Sequence, residues 1–202
     1  MGLYRLKPAS QRLIRPIEDL LVARRVDPDL MSAAAVLVAA IGGLCLALGG
    51  GWPMLLLLVP FLAAARLVLN LLDGMVARRT GVSRPRGELW NELGDRVGDV
   101  LFIGGLAFHP GVDPRLAAGA VIAALLASYA GITARAAGGQ RQYGGIMSKP
   151  GRMFVLAVAA PVAFVTADAV PLAAAAAVIL FGGIVTLGWR IAAAWRELGD
   201  AG

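Results

Sequence analysis

Apolar residues gather in six stretches, at about 30–49, 53–79, 87–108, 114–137, 150–167 and 171–197, and short polar segments separate them. A bilayer core about 30 Å thick takes about 20 residues of helix, and tolerates somewhat fewer or more. Several of the stretches meet that length. The separators carry turn chemistry: GGGWP, TGVSRPR, HPGVDP, GGQRQYGGIMSKPG and DAVP, in chain order. The pattern predicts an all-α polytopic membrane protein, with six transmembrane helices in a single domain over residues 1–202.

Residues 8–26 behave differently. Leu13, Ile14, Ile17, Leu20, Leu21 and Val22 recur at near-helical spacing with basic residues between them. This reads as an N-terminal amphipathic helix lying on an anionic membrane face. Pro16 is expected to start or kink it, and Asp27 or Asp29 to cap the span that follows.

Composition strengthens the membrane reading. The chain is 58% hydrophobic and 16% charged, against about 25% charged in a soluble domain, and its mean hydropathy is +0.74. No cleavable signal peptide is expected, because Arg5, Lys7, Arg12, Arg15, Arg24 and Arg25 interrupt the first 30 residues. Cys45 lies inside an apolar run and reads as a small buried hydrophobe. The basic residues fall on one side. Those six, then Arg78, Arg79, Arg84 and Arg86, then Arg141, Lys149 and Arg152, then Arg196 share one set of loops and ends, and the other set holds Arg115. The positive-inside rule puts both termini in the cytoplasm, expected to be that of a prokaryote. A face meeting anionic lipid accounts for the net charge of +6 without nucleic acid.

Polar groups in the second and third spans break the apolar pattern. Asn70 and Asp73 share a helix face, with Ala77 one turn on, and Gly87, Asn91, Asp95 and Asp99 follow at intervals of four. Ionisable groups inside spans are costly, and a functional site is the default explanation. Consecutive antiparallel helices let the two faces meet, and clustered carboxylates call for a cation. Oxygen donors without His or Cys favour Mg²⁺, Mn²⁺ or Ca²⁺, which commonly keep phosphate oxygens as further ligands. Gly74, Ala77 and Gly87 leave room for a ligand, and Arg78 supplies a charge for phosphate.

The row Asn70-x2-Asp73-Gly74-x2-Ala77-Arg78-x8-Gly87-x3-Asn91-x3-Asp95 resembles the motif of the CDP-alcohol phosphotransferases, Asp-x2-Asp-Gly-x2-Ala-Arg-x8-Gly-x3-Asp-x3-Asp. Every gap length matches, and six spans behind a surface helix also resemble that family. The resemblance implies a Mg²⁺- or Mn²⁺-dependent homodimer that binds a CDP-linked lipid such as CDP-diacylglycerol through its pyrophosphate. Asp95 then removes the proton of an acceptor alcohol, whose oxygen attacks the β-phosphorus and releases CMP. The implied metal set is Asn70, Asp73, Asn91, Asp95 and Asp99. Gly74, Ala77, Arg78 and Gly87 would border the CDP group. Asn70 and Asn91 replace two family aspartates; the pattern is similar to a branch with NxxDG followed by NELGD.

Other readings compete for several residues. Asp73 and Asp95 can be ion pairs with Arg66 or Arg96, Asn70 and Asn91 can be interhelical hydrogen-bond glue, and Asp99 can support the site or pair with a neighbouring charge. Glu88 and Glu92 are assigned to a different face from the stripe, with Glu88 interfacial, and His109 to the surface. Arg135, Arg141, Lys149, Arg152 and Arg190 either satisfy the charge rule or line a pocket for an anionic acceptor or headgroup. Two other functions stay open: a catalytically weak family relative that binds lipid or nucleotide as a membrane subunit, and a small cation or proton transporter. The acceptor alcohol is not legible.

Overall fold

The computed structural model describes residues 7–81 and 85–199. Arg5 and Arg84, which entered the charge asymmetry, lie outside the described residues, as do the side chains of Lys7, Arg12 and Leu13. The described residues form helices α1 (Lys7–Ala23), α2 (Pro28–Leu48), α3 (Val59–Thr80), α4 (Pro85–Gly104), α5 (Pro114–Ala136), α6 (Lys149–Thr166) and α7 (Val170–Gly199). A 3-10 segment, Pro53–Leu58, leads into α3, and another, Gly105–Phe108, ends α4. No strand occurs among the described residues.

Five helices are long and apolar enough to cross a membrane: α2, α3 with its leading segment, α5, α6 and α7. The chain is an integral membrane protein. The stretch expected as the third span forms the helix α4, and its polar face keeps it out of that set. Local chemistry fixes the starts. Asp27 caps α2, accepting the Asp29 N–H at 3.0 Å, and Asp113 caps α5, accepting the Arg115 N–H at 2.8 Å; a proline follows each cap. Pro16 neither starts nor ends α1 but sits inside it.

Small residues set how closely the helices approach. A Cβ added at Gly43 would lie 2.1 Å from the Leu101 carbonyl oxygen, and one at Gly42 would lie 2.4 Å from the Phe102 ring. The backbones of α2 and α4 touch there, as glycine-lined membrane helices do. Gly183 meets Ala123 in the same way where α7 packs on α5. The main core runs through α2 to α7 around Leu46, Phe102, Leu156 and Ile179. A smaller cluster joins α1 to the polar end, where Ile14 packs with Met31, Leu72 and Val76. Ile17 and Leu20 of α1 remain exposed.

The helices alternate in direction along the chain. The C-terminal halves of α3, α5 and α7 therefore share one end of the bundle with the N-terminal halves of α2, α4 and α6. The polar residues discussed below lie toward that end, with Arg66 and Asp99 deepest, near the middle of their helices. His109 is at the other end. It is buried rather than at the surface, its Nδ1 2.6 Å from the carbonyl oxygen of Pro110, because the turn folds the ring onto its own loop.

Candidate active site

Arg66 enters from the middle of α3 and is 1% exposed. Its Nη1 lies 3.0 Å from Asp99 Oδ1, and its Nη2 donates to the Asp95 carbonyl oxygen at 3.0 Å. Gly98 makes room for it, since a Cβ there would lie 2.7 Å from Nη2. From α6, Arg152 Nη2 donates to Asp99 Oδ2 at 2.6 Å, and Nη1 to the Met147 carbonyl oxygen at 2.8 Å. Asp99 is fully buried, with one arginine on each carboxylate oxygen. Of the two sequence readings, charge pairing is the one its geometry fits. Neither Asp73 nor Asp95 has its carboxylate against Arg66 or Arg96: Arg66 takes Asp99, and Arg96 takes Glu92 at 2.8 Å.

Asp99 is the deepest rung of a longer row. Glu88 meets Arg135 at 2.5 Å, Glu92 meets Arg141, Asp95 meets Lys149, and Asp99 meets Arg152. The acids stand at intervals of four, three and four along α4, which is the spacing of one helix face. Glu88 and Glu92 therefore share the face of Asp95 and Asp99 and do not lie on a different one. The intervals of four from Gly87 drift around the helix, whereas this set does not. The bases come in matching order from the end of α5, the connecting loop and the start of α6. Exposure falls along the row, from 59% and 56% for Arg135 and Glu88 to 2% and 0% for Arg152 and Asp99. The outer pair is worth little, whereas removing one partner of the inner pair is costly because it strands a buried charge.

Asp73 approaches from α3. It is 3% exposed, and its Oδ2 accepts the Ser32 hydroxyl of α2 at 3.1 Å. Its Oδ1 is buried without a hydrogen-bond partner, and so is Asn70 Nδ2 one turn away. Asn91 is half-buried on α4. Gly74 lies beside exposed Arg78, a Cβ there falling 3.4 Å from Nη1; Ala77 is half-buried, and Gly87 faces Asp29, whose Oδ1 would be 3.3 Å from a Cβ. Ser32 was missed in the sequence, although a hydroxyl one turn inside an apolar helix was its signal.

The expected basic pocket takes a different form. Arg135, Arg141, Lys149 and Arg152 each meet an acid of α4. Arg190 donates to the carbonyl oxygens of Ala127 at 2.6 Å, Gly144 at 2.8 Å and Tyr143 at 3.2 Å, tying α7 to α5 and the loop. The loop is fastened at further points. Glu197 accepts the Gln140 N–H and the Gln142 amide, each at 2.7 Å, Thr186 Oγ1 accepts the Met147 N–H at 3.0 Å, and the Arg141 guanidinium stacks 4.8 Å from the Tyr143 ring centroid.

The donor set has limits. Among the described residues, no three His, Cys, Asp or Glu side chains converge as a metal-binding group. With Asn at two motif positions, the carboxylates of the motif are Asp73 and Asp95. The unpartnered Oδ1 of Asp73 and the buried amide of Asn70, whose oxygen and nitrogen exchange on rotation, still fit an oxygen-ligated cation.

Relatives bear on the same region. Inner membrane protein YnbA of Escherichia coli (strain K12) is 32% identical over 155 residues, which is 77% of this chain and 77% of that one. Phosphatidylinositol phosphate synthase of Mycolicibacterium smegmatis (strain ATCC 700084 / mc(2)155) is 30% identical over 162 residues, 76% of this chain and 70% of that one. Among solved structures, phosphatidylinositol phosphate synthase of Mycobacterium tuberculosis with CDP-DAG bound aligns with a TM-score of 0.75 at 21% identity, covering 91% of this chain and 94% of that one. The same enzyme in complex with manganese and citrate gives 0.74 at 20% identity, over 89% and 88%. At those identities the two structures speak for the fold. No protein-family model matches the chain.

Replacing Asp99 by Asn should cost about 3–5 kcal/mol of stability, because it leaves two buried guanidinium groups without their carboxylate. Thermal unfolding in detergent checks this; a midpoint within a degree of the parent would show that the pair carries no such weight.

Proposed function

The chain belongs to the CDP-alcohol phosphotransferase family, membrane enzymes that pass a substituted phosphate from a CDP-linked donor to an acceptor alcohol, and we propose that Asp95 is the general base of that transfer here. The donor we assign is CDP-diacylglycerol, so that the chain is one 202-residue phospholipid synthase domain. The observation that carries this reading is the state of the two carboxylates at motif spacing. Asp73 keeps one buried oxygen without a hydrogen-bond partner, and Asp95 is 14% exposed and held by Lys149 from the start of α6.

The acceptor hydroxyl would approach Asp95 from the polar end of the bundle, and its proton would pass to the carboxylate. The oxygen forms a bond to the β-phosphorus, the bond to the CMP oxygen breaks, and CMP leaves. Burial of Asp95 among helices limits the water that can compete for the same phosphorus. Lys149 keeps the carboxylate charge balanced before substrate arrives. Asp73, Asn70, Asn91 and Asp95 would hold a divalent cation, Mg²⁺ or Mn²⁺, with Asp99 anchoring the arginines behind them. Such a cation supplies positive charge against the pyrophosphate and the departing CMP. Gly74, Ala77 and Gly87 leave space beside that set, and exposed Arg78 is placed to meet phosphate.

We also assign six spans, counting α4 with the five apolar helices, and α1 as a helix on the membrane surface with Ile17 and Leu20 toward lipid. Both termini then face the cytoplasm of a prokaryote. The protein is taken to work as a homodimer through small-residue faces of its outer helices. Native mass measurement in nanodiscs should give twice the chain mass, and an active sample containing only monomers would rule the dimer out.

Asp95→Asn should lower CMP release from CDP-diacylglycerol by about 10²–10⁴-fold, the range expected for a lost general base, while donor binding persists. Asp73→Asn should weaken donor binding instead, by about tenfold or more, equivalent to ~1.4 kcal/mol. Full turnover by the Asp95 variant would remove it from the base position.

A further inference from the structure

Arg135, Arg141, Lys149 and Arg152 would suit an anionic acceptor if their charges faced the site unmatched. Instead each carries a carboxylate of α4. Glu92 is central. It is 20% exposed, it holds Arg141 from the loop, and it holds Arg96 from its own helix at 2.8 Å. Arg141 is further fixed over the Tyr143 ring. Arg190, behind this layer, spends its donors on three carbonyl oxygens.

We infer that the acceptor alcohol carries no phosphate of its own, and that Glu92 sets this preference by occupying the guanidinium groups of Arg141 and Arg96. The inference rests on the transfer reading above and adds the acceptor's charge class to it. A phosphate monoester carries close to two negative charges at neutral pH. To reach Arg141 it must either displace Glu92 or sit beside it, with Asp95 one turn further along the same face. Displacement leaves a half-buried carboxylate without its partners, and adjacency sets the phosphate against Glu92 and Asp95, a repulsion that the one surplus positive charge of Arg96 and Arg141 offsets only in part. A neutral polyol or sugar meets no such opposition. Its hydroxyls can accept from the arginines and donate to Glu92 without breaking either pair.

The pairing is specific in geometry. Glu88 and Arg135, at the exposed mouth, would affect any charged molecule weakly through screened water. Glu92 and Arg141 lie one turn deeper, next to the Asp95 level where the acceptor hydroxyl must arrive.

The test uses full-length protein in nanodiscs, with inorganic phosphate as the probe in the presence of CDP. Phosphate binding is measured by titration calorimetry for the parent, Glu92→Gln, and Glu92→Gln combined with Arg141→Gln. The single variant should bind phosphate at least about tenfold more tightly than the parent, a gain of ~1.4 kcal/mol, and the double variant should lose the gain. Equal phosphate binding by parent and Glu92→Gln, whether tight or absent, would overturn the role of Glu92. In parallel, parent turnover of CDP-diacylglycerol is compared with myo-inositol and glycerol against their monophosphates. A higher kcat/KM with a monophosphate than with its parent polyol would overturn the acceptor class even if the variant does not fold. Absence of CMP release with every acceptor would count against the transfer reading instead, and the phosphate titration would still decide the part played by Glu92.

Discussion

The buried carboxylate of Asp99 between Arg66 and Arg152 is the contact on which the polar end of the bundle depends. Three helices supply it: α3, α4 and α6. Each charge alone would be expensive in this setting, and together they are tolerable only while all three helices keep their register. Arg66 adds a bond to the Asp95 carbonyl oxygen, and Gly98 gives the space it needs. The backbone that presents Asp95 is therefore clamped from α3. Arg152 fixes the first turn of α6 through the Met147 carbonyl oxygen, which places Lys149 against Asp95. The site's geometry is thus set by the pairs beneath it.

Much of this was legible in the sequence, and the reasons differ by feature. The spans were readable because about 20 apolar residues in a row have few other uses, and caps such as Asp27 and Asp113 have chemistry confined to a few neighbouring residues. The motif was readable because its spacing is long. The partners of α4 were not. Glu88 and Glu92 were separated from Asp95 and Asp99 by following intervals of four from Gly87, while the helix itself favours alternating threes and fours. Their bases lie 47 and 49 residues away, and nothing local announces such a pairing. His109 was misplaced for a similar reason, since a turn residue next to proline reads as surface until the fold closes over it.

The basic residues show how one composition serves two purposes. On sequence they satisfied a topological rule or formed a pocket. In the fold they also bind the α5–α6 connection to α4, with Glu197 and Thr186 of α7 holding the same loop from behind. Acids of α4 thereby do what an anionic ligand would otherwise do. The amides of Asn70 and Asn91 act in the same direction, because they add no fixed charge where the pyrophosphate is proposed to lie, while Asp99 and Glu92 are each shared by two arginines.

The most direct measurement follows both products of one reaction. Purified protein in nanodiscs is given CDP-diacylglycerol labelled separately in the cytidine and acyl parts, with Mg²⁺ and a panel of polyols, and CMP and new phospholipid are quantified together. Transfer predicts that CMP and one new phospholipid appear in equal amounts and only when an acceptor is present. CMP accompanied by phosphatidic acid alone, or no CMP under any condition, would contradict it.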